Sequence, residues 1–61
     1  MLNKIIKLTD VQNITTFSRS TIYRLISQGK FPKQIKLSER SSGWLEQEVL
    51  DYIDSRIKIR N

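Results

Sequence analysis

From about Glu46, the apolar residues Val49, Leu50, Ile53 and Ile57 recur at helical spacing, with Glu46 and Glu48 in the first turn and Arg56 and Lys58 near the last. That charge order suits a helix dipole and predicts a helix over about 46–57, with Lys58 to Asn61 fraying beyond it. Ile22, Leu25 and Ile26 predict an amphipathic helix over about 19–28, set between Ser18, a good N-cap, and Gly29, the usual left-handed stop. Upstream, Val11 and Ile14 fall three apart and Thr9 stands to Gln12 in the capping-box relation. These predict a shorter helix, about 10–15, capped by Thr9. Lys4 to Leu8 is short and rich in β-branched residues and reads as an edge strand.

The connections add topology. Only Thr16 and Phe17 separate the first helix from the Ser18 cap, so the two helices must cross steeply, in a helix-turn-helix layout. Phe31-Pro32 ends helical structure, because proline lacks an amide donor and disfavours a helical residue before it. Gln34 to Leu37 then alternates polar and apolar, Ser38 to Gly43 is turn-like, and Trp44-Leu45 is apolar again. This predicts a hairpin over about 34–45 whose tip projects as a wing. The expected fold is mainly α with a small β-hairpin, a single domain over 1–61. Its core draws on Ile22, Leu25, Ile26, Trp44, Val49, Ile53 and Ile57.

A chain of 61 residues buries only about 60% of the surface its unfolded form exposes, so the core is small and stability modest. Cysteine and histidine are both absent. Disulfides, thiolate metal sites, cysteine nucleophiles and histidine general bases are thereby excluded, and no enzyme activity, cofactor or metal is expected. No apolar run approaches the ~20 residues of a membrane span, and the N-terminus MLNKIIKLTD lacks a signal-peptide core. The expected location is therefore the cytoplasm, in association with the nucleoid.

The net charge of +5 is unevenly distributed. Residues 18–43 hold Arg19, Arg24, Lys30, Lys33, Lys36 and Arg40 against Glu39 alone, whereas the segment from Trp44 onward has more acids than bases. Such a concentration points to a polyanion. On the predicted second helix, the side opposite the apolar stripe carries Ser20, Arg24 and Ser27, flanked by Thr21 and Tyr23, with no acid. In a helix-turn-helix the N-terminal part of the second helix meets base edges in the major groove. Arginine can donate two parallel hydrogen bonds to guanine, and serine and threonine can bond bases or phosphates. Arg19, Ser20, Thr21, Tyr23 and Arg24 are thus candidate DNA contacts, with the amides after the Ser18 cap as a phosphate seat. Arg24 reads bases if the helix lies flat, and Arg19 if it enters end-on. Tyr23, at the margin of the apolar face, is open to a packing role as well. Lys30, Lys33 and Lys36 would face phosphates, and Arg40 in the wing a neighbouring minor groove.

The run SRSTIYRLISQGKFPKQIKLSERSSGWLEQEVLDYI resembles the AlpA-like family of small phage and prophage DNA-binding regulators. The likeness rests on Ser18-Arg19-Ser20-Thr21 leading into Tyr23-Arg24, on Gly29 with Phe31-Pro32-Lys33, on Ile35-Lys36-Leu37, on Arg40, and on Gly43-Trp44-Leu45-Glu46. It implies a winged helix-turn-helix domain related to MerR-type and excisionase domains, acting as a transcriptional regulator of a prophage or integrated element. The alternative is a recombination directionality factor that bends DNA at attachment sites, with an integrase as partner and several copies on adjacent sites. A protein-interaction inhibitor working through an acidic third helix is a further alternative, opposed by the basic middle. Two positions depart from the family: Thr16 and Ser38 stand where glycine is common. A non-glycine residue there costs energy if the backbone needs a positive φ.

Overall fold

Six side chains from six different segments meet in one core, and the fold is the arrangement that lets them do so. In this computed structural model, which describes residues 4–60, the elements run β1 (Ile5–Ile6), α1 (Leu8–Thr15), α2 (Arg19–Ser27), β2 (Ile35–Ser38), β3 (Ser41–Leu45) and α3 (Glu46–Ile59). The buried core takes Ile6 from β1, Val11 from α1, Ile22 from α2, Phe31 from the α2–β2 loop, Trp44 from β3 and Val49 from α3. Leu8, Ile14, Phe17, Leu25, Ile26, Tyr52 and Ile53 pack around them, half-buried. The three strands form an antiparallel sheet in the order β1-β3-β2, so the wing is a hairpin extended by an N-terminal edge strand. The result is a winged helix-turn-helix-like fold: three helices and a small antiparallel sheet.

Trp44 is the largest fully buried side chain, at 1% exposure. It lies opposite Ile6 across the β1–β3 ladder, and its indole Nε1–H donates to the Pro32 carbonyl at 3.0 Å. The bond satisfies the indole's one polar atom and ties the segment after α2 to the central strand. Gly43, one residue earlier, is required by close approach: a Cβ there would lie 2.5 Å from Ile5 Cγ2 and 3.0 Å from the Ile6 carbonyl oxygen. Beside the core, Phe17, Phe31 and Tyr52 form an edge-to-face aromatic group, with ring centroids 4.8 Å apart for Phe31–Tyr52 and 6.4 Å for the other two pairs. It joins the turn before α2, the loop after α2 and the middle of α3.

Several boundaries differ from the sequence expectation. Strand β1 is two residues rather than Lys4 to Leu8, because α1 already begins at Leu8. The cap of α1 is Lys7, not Thr9: the Asp10 carboxylate accepts the Lys7 backbone N–H at 3.2 Å, and the Val11 N–H reaches the Lys7 carbonyl at 3.0 Å. Asp10, in the first turn, also suits the helix dipole there, and half-buried Leu8 gains packing by joining the helix. At the other end of the chain, α3 continues through Lys58 to Ile59 rather than fraying after 57, with Lys58 paired to Asp54 at 3.0 Å; Asn61 lies outside the described residues. Ile57, expected in the core, is 49% exposed, since every residue of α3 from Asp54 onward lies beyond the packed part of the domain.

The two departures from the family glycines have opposite outcomes. Thr16 has φ +64°, the left-handed region, whereas Ser38 does not adopt a positive φ and sits at an irregularity in the β2–β3 register. For a β-branched residue the left-handed conformation costs roughly 1–3 kcal/mol. The turn offsets this with the Thr16 N–H donating to the Gln12 carbonyl at 2.7 Å and the Phe17 N–H to Thr15 Oγ1 at 3.2 Å. Thr16→Gly is therefore expected to stabilise the domain by about 1 kcal/mol, after the entropy glycine adds to the unfolded chain, as read by urea denaturation. Trp44→Phe, which leaves a void and removes the bond to Pro32, is expected to destabilise it by about 2–3 kcal/mol in the same measurement.

Candidate nucleic-acid interface

Helix α2 forms where the sequence places it because both of its ends are chemically determined. Ser18 is extended, with φ −75° and ψ 162°, and its Oγ accepts the Thr21 N–H at 3.2 Å. Gly29 takes φ +71°, and the bonds Lys30 N–H to the Leu25 carbonyl at 2.8 Å and Gly29 N–H to the Ile26 carbonyl at 3.0 Å complete a Schellman closure. Ile22 faces the core, Leu25 and Ile26 pack at its edge, and Arg19, Ser20, Tyr23, Arg24 and Ser27 are exposed.

Hydrogen bonding sorts these candidates. The hydroxyls of Ser18 and Thr21 lie 2.9 Å apart and bond to each other, and Ser27 Oγ folds back onto the Arg24 carbonyl at 2.7 Å. Each of these hydroxyls makes a bond within the helix and keeps capacity for a further one. Arg19 lies over the Tyr23 ring, 5.8 Å from its centroid, a cation–π contact that orients the guanidinium along the helix surface. Tyr23, with its edge exposed, supports that arginine instead of joining the core. Arg19, Ser20, Tyr23 and Arg24 are the polar side chains on this face that make no hydrogen bond within the helix among the described residues. The amides of the first turn, Arg19 and Ser20, have no acceptor within the helix by its geometry.

The six cations of residues 18–43 come from four segments of the fold: α2, the loop after it, β2 and the β2–β3 turn. Arg24 and Lys30 line an open groove between α2 and α3 together with Phe17, Thr21, Leu25, Tyr52, Ser55 and Arg56. No acid lines it. Arg40, in the β2–β3 turn, lines a separate shallow hollow with Lys7, Thr9, Ser41 and Ser42, where the hairpin tip meets the N-terminus of α1. Lys36 pairs with Ser42 across the hairpin, so their side chains share one sheet face. Lys33 is exposed in the loop before β2. Among the described residues the ion pairs are Lys4–Glu46 at 3.8 Å and Asp54–Lys58 at 3.0 Å, so none of the six is neutralised by a carboxylate.

Two basic residues with no assigned role from sequence thus enter the site. Arg56 was counted with an acidic helix, yet it stands one turn beyond Tyr52 on the flank of α3 that turns toward α2. The wheel alone carried that signal, since 49, 52 and 56 share a face. Lys7 joins Arg40 only through the folding of the hairpin against α1, which no local pattern encodes.

Among the described residues no helix is long and apolar enough to cross a membrane. A family model described as prophage CP4-57 regulatory protein (AlpA) matches residues 4–57, a span that includes both basic groupings. An uncharacterized protein of Enterobacteria phage P4, ORF88, is 37% identical over 54 residues, which are 88% of this chain and 61% of that relative. The chain therefore spans somewhat less than two thirds of the length of the curated relative it matches. With the family model covering the strand, the helix-turn-helix, the wing and most of α3, the chain belongs to the AlpA family of prophage regulatory proteins.

Proposed function

We propose that this phage-associated regulator binds double-stranded DNA sequence-specifically and controls transcription of a prophage or integrated element, with α2 in the major groove. The observation that carries the reading is the outward face of α2. It offers Arg19, Ser20 and Arg24 with no acid among them, unneutralised by any ion pair, on a helix whose cap and stop are both satisfied. In a major groove Arg24 donates in parallel to guanine O6 and N7, and Ser20 bonds a base edge or a phosphate. Arg19, held against Tyr23, would follow the groove wall. Lys30 and Arg56 beside Arg24 receive the phosphates of one strand, and Lys36, Arg40 and Lys7 at the hairpin meet the adjacent backbone or minor groove.

This division of labour separates affinity from sequence choice. Phosphate contacts act on any duplex and weaken together as salt rises, whereas a base-edge contact distinguishes sites. Selection of binding sites from a pool of random duplexes is expected to enrich a defined sequence; a chain that enriches none contradicts the reading. On the selected site, Arg24→Ala is expected to weaken binding by roughly 1–3 kcal/mol while barely changing affinity for random duplex. Equal losses on both would remove Arg24 from base reading. Lys33→Ala is expected to weaken both duplexes alike and to lower the slope of log affinity against log salt by about one.

A further inference from the structure

α3 carries a second apolar stripe whose outer positions, Leu50 and Ile57, are left exposed by this domain. Glu46, Leu50, Ile53, Ile57 and Arg60 recur at alternating steps of four and three residues, the spacing of a helix–helix seam. Leu50 is 42% and Ile57 49% exposed, and Ile53 is half-buried where it meets the end of α1 beside Ile14. Charge is polarised along the same helix. Glu46, Glu48, Asp51 and Asp54 occupy its first part, Arg56 and Lys58 its last turn, and Arg60 is the C-cap just beyond it.

A parallel neighbour would set like charges side by side, whereas an antiparallel copy sets each acidic half against a basic one. The spacing fits that second arrangement. With a two-fold axis beside Ile53, Leu50 lies opposite Ile57 of the other copy, and Glu46 opposite Arg60 of the other copy. The stripe is therefore complementary to itself in both shape class and charge, as an isologous interface requires. Glu46 is available for this, since its pair with Lys4 is long, at 3.8 Å, and its side chain is 32% exposed.

We propose that α3 of this chain pairs antiparallel with α3 of a second copy along Leu50, Ile53 and Ile57, with Glu46 and Arg60 closing the two ends. A contact confined to a helix about 21 Å long buries less than the roughly 1,200–2,000 Å² of a stable interface. The pairing is accordingly weak and concentration-dependent, and it does not involve the face of α2.

Sedimentation equilibrium of the full chain without DNA tests it, over roughly 10 µM to 1 mM, where an interface below standard size dissociates. A monomer–dimer equilibrium is expected. Leu50→Lys and Ile57→Glu should each weaken it at least about tenfold, and the double variant should restore it, because each new charge meets its opposite on the other copy. Both positions are exposed, so the far-ultraviolet circular dichroism should not change. A chain monomeric throughout, a dimer indifferent to either substitution, or a double variant as dissociated as the singles overturns the proposal.

Orientation has its own readout, because the chain contains no cysteine. Asp54→Cys, beside the axis, should form a disulfide-linked dimer on mild oxidation, and Gln47→Cys, far from it, should not, since disulfides need close Cα atoms. Cross-linking at both positions equally would mean parallel pairing and would overturn the proposal. None of these measurements depends on DNA, so their failure and failure of the DNA-binding reading are separate results.

Discussion

The anchoring of Trp44 is the constraint on which the rest of this domain depends. In a chain this small a single large side chain makes up much of the core, and here it also carries a directional bond, from the indole N–H to the Pro32 carbonyl. Its strand neighbours extend the constraint in both directions. Ile6 lies opposite on β1, and Leu45 leads directly into α3. The segment after α2, the central strand and the start of α3 are thus held relative to one another by one residue and its immediate partners. The positions of α2 and of the hairpin follow from that, and with them the spacing of any two surfaces that could meet a duplex together.

The charges depend on this frame because each basic group is brought to its place by a different element. Arg24 and Arg56 come from two helices whose crossing is fixed by the Phe17, Phe31 and Tyr52 rings, and Lys7 and Arg40 from a helix start and a hairpin turn. Exposed cations of this kind contribute little to stability, and being unpaired among the described residues they keep their full charge for a ligand. Loosening the core would leave the net charge unchanged but would scatter these groups. Specific binding would then suffer more than general attraction to polyanions.

The parts legible in the sequence are those whose cause is local. Ser18 and Gly29 bound α2 through their own backbone chemistry, so both ends could be read without knowledge of the fold. The α1 boundary was not legible from Val11 and Ile14, because two apolar positions fix a face and not a start; the Asp10 carboxylate on the Lys7 amide decides it. Ile57 shows the limit of periodicity: a helical stripe states which side is apolar, and not how far along it the core extends. Phe31 read as a helix stop and is also core, since its burial depends on Trp44 and Tyr52, both distant in sequence. Thr16 carries a positive φ although it is β-branched, so the turn between α1 and α2 holds a strained residue that no local pattern announces.

The central claim, that this AlpA-family chain reads DNA sequence through α2 and the hairpin, is tested most directly by a footprint of the purified protein across the genetic element that encodes it. Near-physiological salt is needed so that non-specific electrostatic binding is suppressed. The account predicts protection of discrete positions that overlap a promoter. Absence of protection, or uniform protection that disappears with a modest rise in salt, would contradict it.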